Sequence, residues 1–319
     1  MKSASTPEPI AAPEAAATPA IPASVYWMLA LTAMIWGLSW PLMKLALSEL
    51  KPLHFRSFSM FGAMSGLFLI AWISGARLRL SAKILPRMAA LAFFNIAGWS
   101  VLMITGLHLL PAGRATILAY TFPLWTVPLS VWLLGEVITR RKICGLVLGL
   151  CGMALLLGDE LFTIGRSPLG ALLLIGSAMF WAIGTVLMKR WPVDLPVVSF
   201  TAWQTLLSFP FIFLLALWFE DGVFHPFGQR LPVIFAALYS AFVAGIFAQW
   251  MWYRIVTLIS AAVSSIAITL VPVMGVFFGA LILGEQPRFT DYAALVLVVG
   301  SLAFILMPPL PRLFRKRRH

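Results

Sequence analysis

The sequence predicts an all-α membrane protein of ten transmembrane helices, arranged as two inverted five-helix repeats. Three observations predict it: a composition too apolar for water, ten long stretches free of charge, and an internal repeat whose copies enter the bilayer from opposite sides.

Of the 319 residues, 61% are apolar and 11% charged, and the mean hydropathy is +0.96. A soluble surface needs roughly a quarter to a third of its positions charged, so the solvent of this chain is lipid. Stretches without Asp, Glu, Lys or Arg run 15–43, 57–76, 88–113, 115–135, 143–158, 167–188, 195–219, 231–253, 255–284 and 292–311. A spanning helix needs about 20 apolar residues, so each stretch holds one helix and none holds two. The shortest, 143–158, is extended by snorkelling of Arg141 and Lys142.

Residues 1–24 are rich in Ala, Pro and Ser, which is the composition of a disordered tail. No apolar core precedes the small-residue runs, so they are not a signal peptide, and the first helix starts uncleaved near Val25. The expected organisation is a tail at 1–24, a first repeat at 25–158, a second at 167–309 and a basic tail at 310–319. With both termini cytoplasmic, the positive-inside rule is met by all but seven of the 23 Lys and Arg: Lys44, Lys51, Arg56, Arg114, Arg166, Arg230 and Arg288. The net charge of +12 is therefore topogenic, and no nucleic-acid partner is expected. Cys144 and Cys151 are seven apart on one helical face and read as buried free thiols.

The repeat is visible at two places. Residues 33–44, AMIWGLSWPLMK, match 178–189, AMFWAIGTVLMK, at six of twelve positions. Residues 112–136 match 261–285 through Ala112/Ala261, Ile117/Ile266, Pro123/Pro272, Val127/Val276 and a closing Leu-Gly-Glu. Five helices per half is an odd number, so the second copy enters from the other side. Lys44 and Glu285 then lie outside while Lys189 and Glu136 lie inside, an architecture common among secondary transporters.

Trp36 and Gly37, the helix-end Lys44, Arg56, and the twice-used Pro with a downstream Leu-Gly-Glu resemble the drug/metabolite transporter superfamily, EamA-type permeases. The resemblance covers about residues 25–310. It implies a permease of small metabolites, and with 13 Trp and 24 Phe the YddG-type aromatic amino-acid exporters are the first subgroup to compare.

Polar groups within a span are costly unless paired, which selects Asn95, Tyr120, Gln204 and Tyr239 as solute contacts, with Trp36 and Trp99 as aromatic walls of one midplane cavity. Gln249 has the same chemistry but sits nearer a helix end. Lys44 and Arg56 are gate or vestibule candidates for a carboxylate-bearing solute. Pro123 and Pro272, near mid-membrane, are hinge candidates because a helical Pro removes a backbone hydrogen bond. Gly62/Gly66, Gly145/Gly149 and Gly275/Gly279 are assigned to packing within the bundle rather than to a homodimer face, which is compatible with a monomer and leaves the oligomeric state open.

The lead function is export of amino acids or related metabolites by alternating access across a bacterial inner membrane. An importer of a vitamin or other metabolite uses the same architecture, and an intramembrane enzyme or lipid-handling protein is the alternative class. An enzyme needs a nucleophile with a base, or a metal cluster, at depth. His54, His108, His225 and His319 are far apart in the chain and no acid lies mid-span, so no catalytic residue, metal or cofactor is expected. Without a titratable group at depth, movement down the solute's own gradient is the expected energetics.

Overall fold

A computed structural model describes residues 23–162, 168–221, 225–261, 263–264, 268 and 270–306. The tails fall outside these, except that residues 23 and 24 already open the first helix. Among the described residues there is no strand. The helices are α1 (Ala23–Ala46), α2 (Pro52–Ile73), α3 (Leu85–Leu109), α4 (Ala112–Ala119), α5 (Pro123–Leu134), α6 (Arg140–Phe162), α7 (Pro168–Arg190), α8 (Val197–Phe219), α9 (Leu231–Leu258), α10 (Leu270–Leu283) and α11 (Phe289–Leu306). Seven helical stretches among the described residues are long and apolar enough to cross a membrane, α4 and α5 counting together as one; Ile143–Gly152 and Leu270–Leu283 are shorter apolar helices.

The packing has a two-fold pattern. α1 lies on α10 as α7 lies on α5, α2 on α9 as α8 on α3, and α1 on α9 as α7 on α3; α2–α8 and α6–α11 pair across the halves. Small residues permit these approaches. A methyl group on Gly37 would run into Met274, one on Gly275 would meet Thr116 at 2.6 Å, and one on Gly62 would meet Ala241 at 2.9 Å. The bundle has two ends, named here by the lysines that close α1 and α7: the Lys44 end and the Lys189 end.

The Leu-Gly-Glu motifs terminate helices. Gly135 and Gly284 both take left-handed backbone conformations, φ 67° and 66°, which glycine adopts without a Cβ penalty. The next N–H then folds back, Glu136 onto the Ser130 carbonyl and Glu285 onto that of Gly279, each at 3.3 Å. Each glutamate is thereby turned toward the neighbouring half.

Three features depart from the expectations. Instead of one helix bent at Pro123, α4 stops at Ala119 and α5 begins at Pro123, where the missing N–H would be unbonded anyway. α10 likewise holds Pro272 in its first described turn. Secondly, α3 and α9 contain π-helical segments, Phe93–Gly98 and Tyr239–Ala248, at equivalent places in the two copies. No hydropathy pattern encodes these. Thirdly, Cys144 and Cys151 are exposed rather than buried, because α6 packs mainly on α11 and leaves much of its circumference outward.

Candidate solute pathway

The π segments bound a polar cavity midway along the bundle, of about 30 Å³ and lined by Arg56, Ser59, Met60, Ala63, Ile96, Thr205, Ser240, Gly245 and Gln249. That is room on the order of one water molecule. Arg56 reaches into it from α2. Its Nε and one terminal nitrogen donate to Ser100 Oγ at 3.0 and 2.8 Å, and the guanidinium lies 5.6 Å from the Trp99 ring centroid. π-bulges lie frequently at functional sites, where the shifted register re-aims side chains.

Beside the cavity is an aromatic cluster. Trp181 is edge-on to Trp99 at 4.4 Å and to Trp36 at 5.3 Å, and stacks on Phe122 at 5.7 Å; Trp252 meets Trp36 at 6.0 Å. Each such pair adds about 0.5 to 1.5 kcal/mol beyond area burial. Tyr120 occupies the break between α4 and α5, 6.1 Å from Trp40. Tyr239 opens the second π segment and donates its hydroxyl to the Ile35 carbonyl at 2.9 Å.

The two amides differ. Gln204 is fully buried and its Oε1 accepts from Tyr253 Oη at 2.8 Å, while its Nε2 lacks a hydrogen-bond partner. Asn95 is 3% exposed, and neither its Oδ1 nor its Nδ2 has a hydrogen-bond partner. Its side chain lies directly against Gly184 of α7. Unpaired buried polar groups cost about 1 to 3 kcal/mol each, so their presence inside the bundle calls for an explanation. The indole Nε1 of Trp181 and the Thr185 hydroxyl, on the same helix as Gly184, are unpartnered too.

The six residues expected to line a single cavity therefore fall into adjacent sets: Trp36 and Trp99 in the aromatic cluster, Tyr120 and Tyr239 at backbone irregularities, Asn95 and Gln204 buried between helices. Gln249, set aside for its position near a helix end, is on the cavity wall with Ser59, Thr205 and Ser240. The small hydroxyl residues carried no sequence signal, because helical Ser and Thr commonly bond back to their own helix, as Ser59 does to Phe55 and Thr205 to Thr201.

At the Lys44 end, Glu285 accepts from the N–H of Ala112 at 2.7 Å and of Gly113 at 3.0 Å, capping α4. Lys44 does not face the cavity: its Nζ donates to the Leu107 and His108 carbonyls, both at 2.9 Å, closing the end of α3. Glu220 caps α2 through Leu53 N (2.8 Å) and His54 N (2.9 Å), and also bonds His54 Nδ1 at 2.8 Å. At the Lys189 end, Glu136 accepts from Ala261 N at 3.1 Å, the equivalent contact with the halves exchanged. A cavity of about 270 Å³ lined by Lys189, Phe200 and Tyr253 opens at this end.

Comparison with known proteins accords with this layout. A solved crystal structure superposes with a TM-score of 0.70 at 19% identity, covering 88% of this chain and 96% of its own, which shows a shared fold. The uncharacterized transporters YvbV and YoaV of Bacillus subtilis are 29% and 26% identical, covering 87% and 79% of this chain and 90% and 86% of their own. A probable amino-acid metabolite efflux pump of Escherichia coli is 24% identical over 85% of this chain and 91% of its own. These relatives are named as transporters, not enzymes. The EamA-like transporter family matches twice, at residues 23–158 and 168–307. A multi-pass helical bundle whose halves pack by the same contacts and are each matched by one family is thus accounted for: the chain belongs to the EamA-like transporter family.

Proposed function

We propose that this transporter exports amino acids or related small metabolites from the cytoplasm across a bacterial inner membrane, by alternating access of two inverted five-helix halves, 25–158 and 167–309. In this reading the chain crosses the bilayer ten times, with both termini and the Lys189 end cytoplasmic. Arg56 receives a carboxylate, the amides of Asn95 and Gln204 orient the solute, and Trp36, Trp99, Tyr120 and Tyr239 shape its path. Pro123 and Pro272 mark the segment boundaries that bend, and Lys44 belongs to the gate at its end. The name of the Escherichia coli relative supports the solute class. The observation that carries the reading is the placement of a guanidinium on the wall of a mid-bundle cavity, with buried amides nearby whose polar atoms, both of Asn95 and the Nε2 of Gln204, lack protein partners.

Glu220 and Glu285 cap helices at the Lys44 end, and cavities open at both ends, about 230 Å³ beside Arg114 and Glu285 and about 270 Å³ beside Lys189. The decisive experiment compares metabolites inside and outside cells with and without the protein, then measures efflux of the enriched compounds from liposomes with no proton gradient. Loss of efflux in Asn95→Ala and Arg56→Met, with normal amounts of folded protein, is the expected result. Unchanged efflux in both would remove these residues from the pathway. Orientation is tested separately by impermeant thiol labelling at positions 136 and 285 in a background lacking Cys144 and Cys151; labelling from one side at both would refute the inversion.

A further inference from the structure

The charge inventory around the central cavity narrows the solute further. Arg56 donates to a neutral hydroxyl and lies over Trp99, and among the described residues no carboxylate pairs with it. The acids are held at the ends. Glu49 pairs with Arg230, Glu220 with His54 and Asp291 with Arg114, and Glu285 caps α4, all at the Lys44 end. Glu136 caps at Ala261 and Asp194 pairs with Arg77, both at the Lys189 end. The cavity wall thus presents one fixed positive charge, several neutral donors and acceptors, and no negative charge.

A cation inside a low-dielectric bundle needs a counter-charge, and here the solute is the available source. A carboxylate supplies it with geometry that matches the guanidinium fork. An α-ammonium group would bring a second positive charge to a site with no carboxylate to receive it. Aromatic faces do not substitute. Trp99 already has Arg56 over its ring, and Trp181 is crowded by Trp36, Trp99, Phe122 and Trp252.

From this inventory we infer that the preferred cargo is a monocarboxylate with an uncharged body, such as a 2-oxo acid, an N-acyl amino acid or an aryl carboxylate, and that a free amine counts against transport. The inference rests on the proposed role of Arg56 as the carboxylate's partner. It sharpens the solute class from amino acids to their amine-free relatives.

The test uses the full-length protein in liposomes, with protein-free liposomes as the background. Initial flux is measured for a matched set: phenylalanine, phenylpyruvate, N-acetylphenylalanine and phenethylamine. The two amine-free carboxylates should move at least about tenfold faster than phenylalanine, given the cost of an unpaired buried ammonium. Phenethylamine should not move. Flux of the amine-free acids should also respond to a potassium–valinomycin potential, because a monoanion carries charge and the zwitterion does not. Phenylalanine flux equal to or above that of its analogues overturns the inference and leaves the Arg56 reading standing. Absence of carrier-dependent flux for every carboxylate, or amine-free flux that is the same in Arg56→Met as in the native protein, overturns both. Partial recovery in Arg56→Lys is expected, since a lysine keeps the charge without the fork.

Discussion

The two ends of the bundle are built from the same repeat, yet they close differently. At the Lys44 end the His54–Glu220 pair has side chains 10% and 11% exposed, and its carboxylate also caps α2. At the Lys189 end the Arg77–Asp194 pair has side chains 54% and 96% exposed. A buried carboxylate that holds two backbone N–H groups cannot leave without stranding them, whereas an exposed pair exchanges freely with water. The difference teaches that one pseudo-symmetric scaffold can carry a part-buried tie at one end and a solvent-exposed pair at the other.

The largest effects should come from the glutamate caps at the Lys44 end. Glu220→Ala and Glu285→Ala each remove the carboxylate that accepts from two backbone N–H groups, and an anion beside a basic side chain. Each should lower stability by about 3 kcal/mol, read as a fall in the melting temperature of detergent-purified protein. Both should also increase impermeant labelling of a cysteine introduced elsewhere at the Lys44 end, in a background lacking Cys144 and Cys151. Stability within experimental error of the native protein would show that water replaces these caps and that the two ends are closed alike.

Next in size is a contrast between the halves themselves. Gly37 and Ala182 are equivalent in the repeat, but a methyl group at Gly37 would run into Met274 of α10, while Ala182 already carries one and is fully buried. Gly37→Ala should therefore cost about 2 kcal/mol by overpacking. Ala182→Gly should cost about 1 kcal/mol through helix propensity alone. Equal losses in thermal melts would erase the distinction between the two interfaces.

Between the ends, Asn95 separates function from packing. Asn95→Ala deletes an amide that has no hydrogen bond to lose, so stability should stay within about 1 kcal/mol of native. Efflux should nevertheless drop about tenfold, equivalent to about 1.4 kcal/mol of barrier. A stable variant with full efflux would make Asn95 a packing residue. The smallest effect is expected at the exposed pair: Asp194→Ala should change stability by less than about 0.5 kcal/mol. A larger loss in the same melts would mean that the Lys189 end is held as firmly as the other.

Much of this was legible in the chain. The charge-free stretches predicted helices where α1, α2, α3, α7, α8 and α9 are found, because the transfer cost of an ion is a local property of sequence. The Leu-Gly-Glu motifs marked real helix ends, though their purpose, capping the opposite half, was not visible. Asn95 and Gln204 stood out because an amide in a span is expensive. Gln249 has the same chemistry and was ranked below them for its depth, and depth along a helix says nothing about which neighbour it faces. The buried reading of Cys144 and Cys151 failed for the same reason: a helical face is readable from spacing, its partner is not.

By itself, then, the sequence determined the lipid solvent, the approximate spans, the repeat and the family, all of which follow from composition, length and self-similarity along the chain. The tertiary structure decided the rest: the break before Pro123, the paired π segments, the small cavity at Arg56, and the caps from Glu220 and Glu285. The Glu285 to Ala112 bond joins residues 173 apart in sequence and the Glu220 to Leu53 bond joins residues 167 apart. Such contacts depend on how two halves approach each other, and the free energy that selects them belongs to the packed bundle rather than to any segment of it.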